Sequence, residues 1–268
     1  MDMDVVLASD LADALAAKAQ APRAEFLAGG TDLMVEVNLA HHRPELVIGL
    51  RRVDELKEYG NGRIGAGVTW ATLEGSRHRA LAQLARTVGS PQIRAAGTIG
   101  GNIGTASPAG DGLPWIAALD AQIEVASQAR GRRLVACSDF FTGVKRTSLA
   151  DDEVVTGVVL PDEIPEAQEF AKIGIRSAMV ISTVSCVVMR GADGFRVALG
   201  SVAPTVMRAS RAEAMLNAEA SPSPAALEAF AALVSEEVRP ITDHRSTEAY
   251  RRHSAGVLAR RLVERCLT

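Results

Sequence analysis

Apolar residues along this chain of 268 residues recur in two rhythms, one helical and one strand-like. Across residues 10–19, Leu11 and Leu15 fall on one face of an alanine-rich segment, which predicts a helix. Short apolar runs at 46–50 and 63–68 predict strands, and the stretch 71–84 predicts a second helix. Helical spacing returns at 114–121. A strand at 122–126, a turn at Gly131 and strands at 133–137 and 154–160 follow, the last stopped by Pro161. The polar segment DEIPEAQE at 162–169 breaks the series, and a domain boundary is expected there. Beyond it, apolar runs at 180–190 and 195–202 flank GADG and predict a β-hairpin. Helices are expected at 211–217 and 225–238. The last, 247–266, sets Tyr250, Val257, Leu258, Leu262 and Cys266 roughly along one face. A small sheet covered by helices closes the chain.

Two stretches fit neither rhythm. Residues 97–114 read GTIGGNIGTASPAGDGLP, with six glycines between apolar segments. No packed core needs that composition. Glycine lets a backbone turn tightly and approach a ligand closely, while Thr98, Asn102, Thr105 and Ser107 donate hydrogen bonds from short range. Aligned N–H dipoles then supply a positive field for a diphosphate without lysine or arginine. An ordinary surface loop has the same composition, so a second signal is needed. Residues 25–33 read EFLAGGTDL, an apolar run, then Gly29-Gly30, then the expected start of a helix. Thr31 or Asp32 stands where a cap belongs, leaving the first N–H groups free for an anion. The charge of Asp32 opposes a phosphate, which suits a cap turned away from the ligand. Neither stretch fits GxGxxG or GxxxxGKS/T, so a Rossmann or P-loop reading is poor. Two such loops suggest a dinucleotide held between two subdomains.

Composition narrows the rest. The length suffices for a substantial core and two domains. Net charge is −3 and no basic stripe is present, which argues against nucleic acid as a partner. No apolar run reaches membrane-spanning length, and the acidic MDMD start is unlike a signal peptide. Cys137, Cys186 and Cys266 are scattered, suit a reducing cytoplasmic setting, and cannot ligate an iron–sulfur cluster. His41-His42 lacks further metal ligands and reads as a solvated loop, and His244 is expected to order a turn before the last helix.

The AGGTDL loop, the run QIRAAGTIGGN…ASPAGDGLP…ALDA and the segment RPITDHRSTEAYR together resemble one family, in order and spacing, from about Asp10 onward. It is the medium, FAD-binding subunit of molybdenum hydroxylases, the group of the xanthine dehydrogenase and carbon monoxide dehydrogenase flavoproteins. The resemblance implies an α+β fold. A PCMH-type FAD-binding domain of two subdomains (1–165, divided near 56/57) would precede a C-terminal α+β domain (166–268), an antiparallel sheet covered by helices. It implies noncovalent FAD, since neither glycine stretch carries the histidine or cysteine of a tethered flavin. Molybdopterin belongs to a large partner subunit and [2Fe–2S] clusters to a small one, in a dimer of heterotrimers. NAD or another acceptor takes the electrons. The TDL form of the first loop and VKRTSLADDEVVTGV lean towards the xanthine-dehydrogenase-like branch.

Residue by residue, the principal expected cofactor contacts are Ala28, Gly29, Gly30, Thr31, Asp32 and Leu33 in the first loop. Thr98, Ile99, Gly100, Gly101 and Asn102 provide the second set, with backbone N–H groups doing most of the work in both. The resemblance adds Asp111 near the flavin's polar groups and Val155 on a strand. It also implies that Lys172 reaches back from the C-terminal domain, where a cation stabilises a reduced, anionic flavin. Val88 aligns with a cofactor-facing position that is aromatic in some relatives. No catalytic acid or base is found, which suits electron transfer. A self-contained flavin oxidase or reductase is the competing reading, and an assembly subunit that has lost FAD is the non-enzymatic one.

Overall fold

The computed structural model describes residues 3–219 and 221–268, and its first unit is a three-stranded parallel sheet. Strand β1 (Asp4–Leu7), helix α1 (Leu11–Gln20), β2 (Glu25–Leu27), α2 (Leu33–Asn38) and β3 (Leu46–Gly49) form it, in the order β1-β3-β2. Asp10 starts α1 by accepting the Asp13 N–H at 2.8 Å, and Leu11, Ala14 and Lys18 turn inward at helical spacing. The sequence pattern did not reveal β1, because all four of its residues are exposed at the sheet edge.

A second unit follows. It comprises β4 (Tyr59–Gly60), β5 (Arg63–Gly65), α3 (Trp70–Leu73), α4 (Arg79–Thr87), α5 (Pro91–Ala96), α6 (Ile99–Thr105) and α7 (Leu113–Ala118). It continues with β6 (Gln122–Ser127), β7 (Gly131–Ala136), α8 (Cys137–Phe140), β8 (Phe141–Gly143), β9 (Arg146–Thr147) and β10 (Val154–Val159). The antiparallel sheet runs β4-β5-β10-β6-β7, with β10 central and almost wholly buried. The single helix expected over 71–84 is two. Gly75 follows α3, and the Ser76 hydroxyl accepts the His78 N–H at 3.1 Å, turning the chain before α4.

The third unit is an antiparallel sheet β11-β12-β13-β14, from β11 (Ala167–Ile173), β12 (Val184–Gly191), β13 (Gly194–Gly200) and β14 (Met207–Arg208). Helices α9 (Ser210–Leu216), α10 (Pro224–Glu237) and α11 (Glu248–Leu267) cover one face. Val184, Cys186 and Val188 face these helices, while Val187 and Met189 join the core of the preceding units. Both faces of β12 are therefore covered, which is why it reads as a continuous apolar run. Three expectations change. The strand expected from residue 180 begins at Val184, after a loop. Tyr250 points to solvent; Leu258, Leu262 and Cys266 are buried as expected, and Arg251 and Ala255 complete the buried face of α11. The turn before α11 is ordered by Asp243, which accepts the N–H groups of Arg245 and Ser246 and an Arg251 bond at 2.7 Å; His244 is exposed.

Candidate functional site

Both glycine stretches open on one cavity of about 1430 Å³, above the roughly 300–1,000 Å³ of ordinary small-molecule sites. Ala28 to Leu33 form one wall; Thr98, Gly100, Gly101 and Asn102 form the facing one, with Val88, Asp111 and Val155 also exposed to it.

The second stretch is not a loop at its centre. Residues 99–105 form α6, although three glycines in a helix cost about 1 kcal/mol each. Two features offset that penalty. Ile99 and Ile103, one turn apart, are fully buried in the core. Thr98, in extended backbone, caps the helix by accepting the Gly101 N–H at 3.0 Å. Ile99 thus belongs to the core and does not line the cavity, contrary to expectation.

The backbone donors are also distributed differently from expectation. Along α6, the N–H of Ile99 donates to Val68 O at 3.0 Å, Gly100 to Ala66 O at 2.8 Å and Asn102 to Thr98 O at 3.1 Å. With Gly101 committed to Thr98, none of the four is left for a ligand. In the first loop, by contrast, the N–H groups of Gly29, Gly30, Thr31 and Asp32 find no acceptor among the described residues. What α6 offers instead is space. A Cβ built on Gly101 meets only the Thr98 hydroxyl, at 3.2 Å, and one on Gly104 meets nothing within 4 Å. The Asn102 amide is fixed by accepting the Gly112 N–H at 3.2 Å. Asp32 occupies the cap position of α2 but makes no capping bond; its carboxylate accepts from the Thr105 hydroxyl at 3.2 Å, across the cavity.

Asp111 closes the far end of the glycine stretch. It is buried, with Lys172 Nζ at 2.6 Å from Oδ2 and the Ser182 hydroxyl on Oδ1. Burial pushes its carboxyl above the usual range, while the Lys172 ammonium and the two hydrogen bonds pull it down. Lys172 also donates to Thr87 O at 3.0 Å and Val180 O at 3.1 Å. It therefore stands one residue behind the wall, acting on the cavity through Asp111. The sequence placed a polar boundary at 162–169, yet β11 starts within it. Its polar residues are buried against the preceding unit: Gln168 accepts from Trp115 at 3.3 Å, and Gln83 Oε1 accepts the Phe170 N–H at 2.7 Å.

The remaining candidates sit elsewhere. His42 contacts Glu25, and among the described residues no group of three or more His, Cys, Asp or Glu is placed to hold a metal ion. The three cysteines are buried and unpaired, and burial pushes the Cys137 and Cys266 thiols up to about 12. Among the described residues no helix is long and apolar enough to cross a membrane. Sequence reasoning missed Glu36 and Lys145, which line the cavity from α2 and the β8–β9 hairpin; each reads in isolation as a surface charge.

Residues 1–163 match the family model of the FAD binding domain in molybdopterin dehydrogenase. This chain belongs to that FAD-binding family. Residues 169–266 of the flavoprotein subunit match a second model, the CO dehydrogenase flavoprotein C-terminal domain. The subunit is 32% identical over 278 residues to the xanthine dehydrogenase FAD-binding subunit of Escherichia coli O157:H7, covering 96% of this chain and 93% of that one. It is 39% identical over 173 residues to the nicotinate dehydrogenase FAD-subunit of Eubacterium barkeri, a match spanning 59% of this chain and 58% of that subunit. Its fold superposes on a chain of carbon monoxide dehydrogenase from Hydrogenophaga pseudoflava with a TM-score of 0.91, at 28% identity, covering 100% of this chain and 98% of that one. The α+β architecture of the flavoprotein subunit, an FAD-binding domain followed by a helix-covered antiparallel sheet, is that of these dehydrogenase subunits.

Proposed function

We propose that the cavity is the FAD site and that the chain relays electrons within a molybdenum hydroxylase. The residues fit the group. The free N–H groups of Gly29 to Asp32 supply donors for a diphosphate, and the bare Gly101 and Gly104 face leaves room for it beside the Thr98 hydroxyl and Asn102 amide. Asp111, steadied by Lys172 and Ser182, offers an acceptor for a flavin hydroxyl or N–H. Val155 adds an apolar contact from β10. No side chain here has to move a proton.

When bound, FAD supplies a carrier that takes electrons singly and passes them on in pairs. The donors in this reading are [2Fe–2S] clusters of a small partner subunit, fed by molybdopterin in a large one. The acceptor is NAD or another oxidant. The assembly is a cytoplasmic dimer of heterotrimers, and this chain divides into domains at 1–165 and 166–268. The observation that carries the reading is the pairing of unspent N–H groups on one wall with a cleared glycine face on the other. The test is titration of the flavin-free chain with FAD. Saturable 1:1 uptake is expected, and a folded chain that takes up no FAD refutes the assignment. A single chain that oxidises an organic substrate unaided refutes the relay role.

A further inference from the structure

Lys18, Arg51, Lys57 and Lys145 all line the cavity, and none of these cations has a role in the reading above. Lys145 sits at the tip of the β8–β9 hairpin, where only Val144 and Lys145 connect Gly143 to Arg146. Its φ of 52° lies in the left-handed region, which glycine or asparagine adopts more easily. Its N–H donates to Ala106 O at 3.1 Å, fastening the hairpin tip to the C-terminal end of α6.

The Lys145 side chain is half exposed and donates to Glu36 Oε1 at 2.6 Å. Glu36 lies on α2, so this ion pair spans the cavity from one subdomain to the other. Asp32, one helical turn before Glu36, adds to the negative field around the ammonium. Lys18, also on the wall, is already engaged, its ammonium donating to Pro22 O at 2.8 Å and Ala24 O at 2.6 Å. Lys57 is turned to Asp54 at 2.7 Å. Lys145 differs from both in its partner, a half-buried carboxylate that water can solvate in its place, and from Arg51, exposed just beyond β3, in being held across the cavity by an ion pair. It also stands beside the loop whose N–H groups are unspent, where the carboxylate of Asp32 would repel a diphosphate.

We propose that Lys145 is a ligand of the cofactor's diphosphate, held in waiting by Glu36. On binding, its ammonium leaves Glu36 for a phosphate oxygen and offsets the charge of Asp32, while the hairpin tip stays fastened to α6. A dianionic acceptor in a partly enclosed site outcompetes a single half-buried carboxylate. The inference rests on the FAD reading above.

The test is titration of the full, flavin-free chain with FAD and with riboflavin, which lacks the phosphates, at low and high salt. Lys145→Gly relaxes the turn and removes the ammonium; Lys145→Gln removes only the charge. Both are expected to weaken FAD about 10- to 100-fold, to reduce its salt dependence, and to leave riboflavin unaffected. Glu36→Gln is expected to tighten FAD about 2- to 5-fold, an effect that disappears in the Lys145→Gly background. Unchanged FAD affinity in a Lys145→Gln chain of normal melting temperature overturns the proposal and leaves the FAD reading standing. An equal loss of riboflavin affinity overturns it too, because hairpin shape rather than charge is then at work. Failure of the unaltered chain to bind FAD overturns both.

Discussion

The two glycine stretches that face each other across the cavity have similar compositions and opposite uses. In the first loop, glycine is needed for fit. A Cβ on Gly29 would lie 1.9 Å from Ala96 O, and Gly30 has a φ of 71°. That loop leaves its backbone open to a ligand, because its N–H groups are unspent. At the start of α6 the N–H groups are spent on Val68, Ala66 and Thr98, and the glycines facing the cavity leave it the absence of a side chain. The second stretch is also anchored by charge, through Asp111 and Lys172, where the first is held by backbone packing. Glycine content alone therefore does not say whether a segment donates hydrogen bonds or yields space; the partners of its N–H groups decide.

The contrast is broken most severely at the charged anchor. Asp111→Ala leaves the Lys172 ammonium buried without its carboxylate, and a loss of about 3–5 kcal/mol is expected in urea unfolding. The more conservative Asp111→Asn tests the pH dependence. Burial raises the Asp111 carboxyl, so the folded state holds a proton that the unfolded chain releases near its ordinary value. Its contribution is then full below that value and fades as pH rises through the raised one. The Asn variant is expected to lack this part of the slope, and an unchanged stability-versus-pH curve would count against it. Gly29→Ala comes next, at about 1–3 kcal/mol, since a backbone carbonyl has to move to admit the methyl group. It should lower the melting temperature and FAD affinity together.

Thr98→Ala removes the cap of α6 and is expected to cost about 1 kcal/mol while freeing the Gly101 N–H. If FAD then binds as tightly as before, the Thr98 hydroxyl is a cap only. Gly101→Ala sharpens the contrast with the least disturbance. It improves helix propensity by under about 1 kcal/mol while placing a methyl group on the face proposed to receive the cofactor. A chain that melts higher and releases FAD is expected; Gly101→Val should abolish retention. Full flavin content in the folded Val variant would remove α6 from the site.

Much of this was legible in the chain. The spacing of Leu11 and Leu15 predicts α1, the β12–β13 hairpin follows from its turn, and the paired glycine stretches mark the cavity. Other features were hidden for physical reasons. α6 is hidden in the sequence because local propensity counts its glycines against a helix, while the burial of Ile99 and Ile103 that holds it depends on a distant sheet. The start of β11 falls in the segment 162–169 that reads as a boundary, because Gln168 and Glu169 are polar. Both are buried all the same, since Trp115 and Arg79 meet them from far away in sequence.

The sequence by itself determined the family, the cofactor class and the two segments that line the site, because these follow from residue types in a fixed order. The tertiary structure alone decided which N–H groups remain free, which glycines open on the cavity, and which charges meet across it. Those properties belong to pairs of atoms separated by tens of residues, and no local pattern encodes their distance.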